Sequence, residues 1–151
     1  MSAIRSKNTK PELLIRQIVH AAGFRFRLHR KDLPGKPDIV LSKYRAVILV
    51  HGCFWHGHGC HMFKVPASRT EFWLEKICSN RKRDLRDVKE LVDAGWRVLT
   101  IWECAIKGSQ RIDIETFSQK ITNWLRSECV LEDIGSLPNI SSAENHVDLS
   151  K

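Results

Sequence analysis

The chain has 151 residues, a length typical of one domain with a single hydrophobic core. Its 25 Lys and Arg residues exceed its 17 Asp and Glu residues, and the formal net charge of +8 favours a polyanionic partner such as nucleic acid. No apolar run reaches the roughly 20 residues that span a bilayer, and residues 1–7 lack the apolar centre of a signal peptide. We therefore expect a cytoplasmic protein without a membrane partner.

The charge is divided unevenly along the chain. Residues 127–151 contain five acidic residues and one lysine and are rich in Ser and Asn, so residues 1–126 carry the whole basic excess. We predict a folded domain over residues 1–126 and an acidic, flexible C-terminal tail over residues 127–151.

The first predicted helix begins at Thr9, because Thr9 and Glu12 form a capping box, and it ends at Gly23. Alternating apolar and basic residues over 24–28 predict a half-exposed strand. A turn follows at 34–37. Two short apolar runs over 39–41 and 46–50 then predict strands joined closely enough for a hairpin.

Residues 51–61 have neither strand nor helix periodicity, which indicates a loop. Beyond them, the pattern predicts a helix over 70–94, a buried strand over 96–102 and an amphipathic helix over 112–125. The order helix, three strands, helix, strand, helix predicts an α/β fold with a mixed central sheet flanked by helices.

Metal-binding side chains are concentrated in the loop, where four of the seven histidines and two of the five cysteines lie within residues 51–61. In a reducing compartment this pattern favours metal binding over disulfides, and thiolate ligands favour zinc. Cys53, His58 and Cys60 supply three ligands of a structural site. Spacing leaves the fourth ligand open between Cys104, just past the last predicted strand, and His61.

Asp38 opens one strand of the predicted hairpin, and His51 ends the other. This places both at one edge of the sheet, where Asp38 is suited to hold Mg²⁺ against a phosphate and His51 or His56 to transfer protons. Asp38 is also a common type of turn residue, and Glu12 has a sufficient role in the capping box. Asp84 lies in a basic helical run and is explained by pairing with a neighbouring cation.

Phe54 and Trp55 are adjacent large aromatics in this Gly- and His-rich loop. In a cationic protein, such side chains stack on bases or wedge between them, and packing around the metal site is the alternative. Trp73 fits either a helix core or the same role.

Residues 1 to about 126 resemble the very short patch repair endonucleases, which nick DNA beside a T:G mismatch. The resemblance is carried by seven motifs, which are Pro34-Gly35-Lys36-Pro37-Asp38, Val50-His51-Gly52-Cys53-Phe54-Trp55-His56, His58-Gly59-Cys60, Phe63-Lys64-Val65-Pro66-Ala67, Arg69-Thr70-Glu71-Phe72-Trp73-Leu74-Glu75-Lys76-Ile77, Gly95-Trp96-Arg97-Val98-Leu99 and Trp102-Glu103-Cys104-Ala105.

The resemblance implies a restriction-endonuclease-like core and a set of active-site roles. Asp38 matches the aspartate that ligates Mg²⁺, and Val50 matches the position whose main-chain carbonyl helps hold that ion. His51 and His56 match the two active-site histidines, with His56 favoured as the general base. Glu12 matches a supporting acid on the first helix.

The resemblance also implies the remaining site residues. The structural zinc ligands are matched by Cys53, His58, Cys60 and Cys104. The aromatics that wedge into the DNA are matched by Phe54, Trp55 and Trp73. Met1 aligns with a residue that intrudes from the opposite groove, and we expect that clamp to be shorter here.

The predicted function is therefore a Mg²⁺-dependent, zinc-containing endonuclease that nicks one strand of double-stranded DNA 5′ to the thymine of a T:G mismatch. We expect a monomer that acts at the bacterial nucleoid, with mismatch-repair accessory proteins as further partners. Two alternatives stay open. One is a strand-nicking or restriction-like nuclease with relaxed mismatch specificity, and the other is a non-catalytic zinc-containing module that binds DNA.

Overall fold

A computed structural model describes residues 9–60 and 64–135 of the chain. It contains three helices and five strands, with short 3₁₀ turns after the second and fourth strands. The elements are α1 Lys10–Ala21, β1 Arg27–Leu28, β2 Ile39–Leu41, β3 Ala46–His51, α2 Thr70–Asp93, β4 Arg97–Trp102, α3 Ile114–Arg126 and β5 Leu131–Ile134.

The predicted start of α1 is confirmed. The Thr9 side chain accepts a hydrogen bond from the Glu12 backbone N–H at 3.4 Å, which satisfies a donor that the first helical turn would otherwise leave free. Gly23 follows the helix with φ of 93°, a left-handed conformation that glycine adopts without strain.

The five strands form one mixed sheet in the order β1-β2-β3-β4-β5. The first three strands pair antiparallel, and β3, β4 and β5 pair parallel. The expected β2–β3 hairpin is present, with Ile39 opposite Ile48. In the parallel pair, His51 lies opposite Trp102, so β3 and β4 end side by side at one edge of the sheet.

Helices cover both faces of the sheet, which confirms the predicted α/β arrangement. On one face, α1 and α3 pack against alternate sheet residues, including Ile48 and Leu99, which are both fully buried. On the other face, α2 packs through Leu91 against a smaller cluster that includes Val47 and Val98. The alternation follows from the two-residue period of a strand.

The expectation of a flexible tail from residue 127 is wrong for residues 131–134, which form β5 beside β4. Three of the four β5 side chains are exposed and only Ile134 is buried, so this edge strand lacks the apolar pattern that signals a strand. The strand forms because its backbone pairs in parallel with β4, and such pairing cannot be seen in the pattern of apolar side chains. The predicted strand over 24–28 is also shorter, at Arg27–Leu28.

Some of the predicted features lie outside the described residues, namely Met1, His61 and the segment 136–151. Among the helices described in residues 9–60 and 64–135, none has the length and apolar character to cross a bilayer.

Candidate active site and metal centre

The parallel pairing of β3 and β4 builds the candidate metal centre. Cys53 lies two residues beyond His51, the last residue of β3, and Cys104 lies two residues beyond Trp102, the last residue of β4. Because His51 and Trp102 are paired, the two cysteines meet at the same edge of the sheet. The Cys53 backbone N–H donates a hydrogen bond to the Glu103 side-chain carboxylate at 3.3 Å, which links the segment after β3 to the segment after β4.

Four predicted ligands converge there. His58 Nδ1 lies 3.6 Å from the Sγ atoms of both Cys53 and Cys104, and the ligand atoms of these three residues and Cys60 all lie within 4.8 Å of one another. A tetrahedral zinc ion with ordinary bond lengths to sulfur and nitrogen separates such atoms by about 3.6 Å. The donor set and its spacing therefore fit a zinc-type ion, with Cys104 in the fourth position.

The thiols of this cluster are almost completely buried, with Cys53 and Cys104 at 0% exposure and Cys60 at 1%. Burial raises the pKa of the Cys53 thiol, and the neighbouring sulfurs of Cys104 and Cys60 add to that effect. Thiols in this setting ionise when a cation neutralises them, so metal binding here releases protons.

Gly57 lets the loop approach α2 closely. It has φ of 67°, and a Cβ at this position would lie 2.6 Å from Arg81 Cδ and 2.9 Å from Ile77 Cγ2. Both the conformation and the space require glycine. The next residue, His58, stacks on the indole of Trp102 with ring centroids 4.3 Å apart.

Carboxylates gather at the start of β2. Asp38 Oδ2 accepts a hydrogen bond from the Val50 backbone N–H at 2.8 Å, which fixes the carboxylate beside β3. Burial raises the pKa of Asp38 to about 7, and the nearby Glu12 carboxylate adds to this, whereas the Val50 hydrogen bond opposes it. Glu12 is 4% exposed and accepts a hydrogen bond from Arg16 at 3.3 Å. Two neighbouring carboxylates that are largely shielded from solvent favour a bound cation.

His51 and His56 stack with centroids 3.8 Å apart and planes within 3° of parallel. His56 Nδ1 contacts the Asp84 carboxylate on α2, so this nitrogen is the donor and Nε2 is left as the acceptor. Burial, with a smaller contribution from His56, lowers the pKa of His51 to about 3. Its buried Nδ1 has no hydrogen-bond partner among the described residues. His51 is therefore neutral near pH 7.

The three predicted DNA-contacting aromatics on the described part of the chain form one cluster. Phe54, Trp55 and Trp73 meet edge to face, with centroid separations of 5.1 to 5.8 Å. Asn80 of α2 donates a hydrogen bond to the Trp55 carbonyl at 2.8 Å, which holds the loop against the helix.

Comparison with known proteins adds family membership to this geometry. The family model described as DNA mismatch endonuclease Vsr matches residues 1–62. The chain is 46% identical over 128 residues to DNA mismatch endonuclease Vsr of Escherichia coli K12, covering 85% of this chain and 82% of the relative. This protein belongs to the Vsr family.

Two further relatives of this Vsr-family chain are named type II nicking enzymes. V.XorIIP of Xanthomonas oryzae is 54% identical over 106 residues, covering 70% of this chain and 78% of the relative. V.NmeAIP of Neisseria meningitidis is 50% identical over 107 residues, covering 71% and 76%. These findings confirm the predicted DNA mismatch endonuclease family and argue against the non-catalytic DNA-binding alternative.

The structure adds two residues of the Vsr-family chain to the site. The first is Asp84, whose carboxylate contacts His56 Nδ1 across the loop. The second is His29, whose Nε2 lies 3.3 Å from Glu12 Oε1 and 3.9 Å from Asp38 Oδ1. The sequence held one indication of the role of His29. This residue directly follows one predicted strand and Asp38 directly precedes the next, so an antiparallel pairing of the two strands would place the two residues side by side.

Proposed function

We propose that this protein is a Mg²⁺-dependent endonuclease that nicks one strand of double-stranded DNA 5′ to the thymine of a T:G mismatch. The observation that carries the proposal is the 2.8 Å hydrogen bond between Asp38 and the Val50 N–H, at a sheet edge that also holds His51. An antiparallel hairpin that carries the acidic residue, followed by a parallel strand, agrees with a restriction-endonuclease-like core.

Asp38 and the Val50 main-chain carbonyl are the proposed ligands of Mg²⁺. In an antiparallel pair, the N–H and C=O of one residue point toward the same neighbouring strand. Because the Val50 N–H points toward Asp38, we infer that the Val50 carbonyl lies on the same side. Oxygen donors of this kind suit Mg²⁺, and the bound ion would polarise the scissile phosphate and lower the pKa of a water molecule. Glu12 is the supporting acid, and it adds negative charge beside Asp38.

His56 is the proposed general base. The contact with Asp84 fixes its tautomer and leaves Nε2 free to accept a proton from water. The lowered pKa of His51 makes this residue a weak base, so His51 is better suited to orient His56 by stacking and to hydrogen-bond the phosphate or water. Asp84 is a positioning residue in this assignment.

The proposed ion at Cys53, His58, Cys60 and Cys104 is structural Zn²⁺. All four positions of a tetrahedral site would be filled by protein ligands, which leaves no open position for water. The role of this site is to fix the loop between β3 and α2, which carries His56 and the aromatic cluster.

The aromatic cluster is the proposed wedge at the mismatch. Phe54, Trp55 and Trp73 lie on the loop and the first turns of α2, and all three are only partly buried. A mismatched step is cheaper to unstack than a paired one, so inserted rings distinguish it without reading every base. Met1 is proposed to contact the opposite groove. The protein is proposed to act as a monomer at the nucleoid, with mismatch-repair accessory proteins as partners.

A nicking panel tests the proposal. Duplexes with one T:G, another single mismatch or no mismatch are incubated with Mg²⁺ or with a chelator, and nicked products are resolved on denaturing gels. We expect a nick 5′ to the thymine only in the T:G duplex with Mg²⁺. Asp38→Ala is expected to abolish nicking but not DNA binding, since it removes a negative charge near the phosphates. Asp93→Ala, which removes an exposed carboxylate on α2, is the matched control.

A second candidate function is a nicking enzyme with relaxed mismatch specificity, because two relatives are named type II nicking enzymes without mention of a mismatch. Comparable nicking of several mismatches in the panel selects this candidate. Equal rates on matched duplex contradict the mismatch assignment itself, and nicking by Asp38→Ala at the full rate contradicts the proposed metal site.

A further inference from the structure

The backbone places His29 opposite Asp38. In the β1–β2 ladder, Leu28 pairs with Ile39, and the ladder continues with a hydrogen bond from the His29 N–H to the Asp38 carbonyl at 3.2 Å. His29 has φ of 48°, a left-handed conformation in which histidine is more frequent than most side chains but which still carries a cost. The chain therefore turns sharply at the residue that faces the proposed magnesium ligand.

The side chain of His29 joins the two carboxylates. Its Nε2 lies 3.3 Å from Glu12 Oε1 and 3.9 Å from Asp38 Oδ1, and one ligand atom from each of the three residues lies within 4.8 Å of the other two. The Glu12 side chain is 5% exposed and the Asp38 side chain 18%, so the cluster is largely shielded from solvent but not closed to it.

We propose that His29 is a protein ligand, through Nε2, of the divalent ion at Asp38, and that Glu12 supplies the third side-chain ligand, in addition to the Val50 main-chain carbonyl. This inference rests on the metal site of the proposed function. Neighbouring ligands of an octahedral ion at 2.0–2.1 Å lie about 3.0 Å apart, so the observed separations need only small adjustments. Arg16, which donates to the same Glu12 oxygen, fixes that carboxylate and offsets one of the two negative charges.

An imidazole ligand changes which ion the site prefers. Mg²⁺ favours oxygen ligands, whereas Mn²⁺ and later transition metals gain affinity from a nitrogen donor. A site of two carboxylates and one histidine therefore binds Mn²⁺ more tightly than Mg²⁺. Mn²⁺ does not displace zinc from thiolates, since it stands lowest in the divalent affinity series.

Mn²⁺ binding to the full chain, in the absence of DNA, is the test. The free-ion EPR signal gives the dissociation constant, and pulsed EPR detects nitrogen coupling to the bound ion. The variant is His29→Asn, because asparagine tolerates the left-handed conformation. The control is His20→Asn, which changes an exposed histidine in the last turn of α1.

We expect the Mn²⁺ dissociation constant to rise in His29→Asn by at least the roughly 10- to 100-fold seen when an outer-shell partner of a metal is lost. The control is expected to match the unchanged protein. Pulsed EPR in a His51→Gln, His56→Gln background, which removes the two stacked imidazoles near the site, is expected to show histidine nitrogen coupling that disappears when His29→Asn is added.

Unchanged Mn²⁺ affinity and retained nitrogen coupling in His29→Asn overturn the inference. Asp38→Asn separates this failure from failure of the proposed function. If Asp38→Asn loses Mn²⁺ binding while His29→Asn keeps it, only the role of His29 is wrong, whereas binding retained in both variants contradicts the metal site itself. If His29→Asn does not fold, absence of histidine nitrogen coupling in the His51→Gln, His56→Gln protein overturns the inference by itself.

Discussion

Removal of Cys104 Sγ provides a quantitative test of the metal centre. Cys104→Ala removes one of four ligand atoms from a cluster in which His58 Nδ1 stands 3.6 Å from two sulfurs. Structural zinc sites bind with apparent free energies of about 10–16 kcal/mol, so an equal share for each of four ligands is about 2.5–4 kcal/mol. We therefore expect zinc affinity to fall by about 10²- to 10³-fold.

The same loss of binding free energy is expected to lower the melting temperature of the zinc-loaded protein. For a domain of this size, 1 kcal/mol corresponds to about 2–4 °C in Tm, so Cys104→Ala is expected to lower Tm by about 5–15 °C. Affinity is measured by competition with a chromophoric chelator, and Tm by circular dichroism with and without a chelator. A chelator is expected to lower the Tm of the unchanged protein more than that of the variant.

Cys78→Ala is the matched control, because Cys78 is a free, exposed cysteine on α2. It is expected to keep the zinc affinity and Tm of the unchanged protein. Wild-type affinity in Cys104→Ala refutes the reasoning from strand register. If His61→Ala then loses zinc, the fourth ligand is the histidine that sequence spacing had left open.

Three further outcomes follow from the described contacts. Asp84→Asn is expected to lower the nicking rate by about 10²- to 10⁴-fold with DNA affinity unchanged, since it removes the group that orients His56, and Glu90→Gln is the exposed control on α2. Because the folded-state pKa of His51 is depressed to about 3, its contribution to stability is complete above pH 6.5 and falls as pH decreases. Between pH 7 and pH 5, the free energy of unfolding measured in urea is expected to fall by about 2 kcal/mol more in the unchanged protein than in His51→Gln. Thr9→Ala is expected to lower the free energy of unfolding by about 1 kcal/mol through loss of the α1 cap, and an unchanged urea midpoint contradicts that role.

Elements whose apolar residues are the ones that become buried were predictable from the sequence. The helix predicted over 70–94 is α2 at Thr70–Asp93, and the apolar run at 46–50 is β3 at Ala46–His51. In α2 burial follows the helix period, and β3 is a short apolar run that is buried on both faces, so the pattern of apolar residues predicts both elements. The strand β5 was not predictable, because three of its four side chains face solvent and backbone pairing alone places it.

The residues of the candidate site also include some that the sequence predicts and some that only the fold brings together. The residues of the loop after β3 were found because cysteine, histidine and adjacent aromatics are rare enough to mark a site by themselves. Spacing alone left the fourth ligand open between Cys104 and His61, and only the resemblance favoured Cys104, because no local pattern contains the pairing of His51 with Trp102 that brings Cys104 to the cluster. Asp84 needed the direction in which α2 packs on the sheet, since a lone aspartate among basic residues has an ordinary explanation.

The two candidate metal sites are held by different parts of the fold, so loss of one ion should affect the two sites differently. Asp38 is held by the β2–β3 hairpin through the Val50 N–H, and that contact includes no residue of the loop. His56 lies between Cys53 and His58, so its stacking on His51 depends on a segment that the proposed zinc ion holds at both ends. Loss of zinc should therefore disorder the proposed base and the aromatic cluster before it disturbs the carboxylates. Under the proposed function, the sheet would position the catalytic ion, and the cluster of Cys53, His58, Cys60 and Cys104 would position His56 and the aromatic cluster.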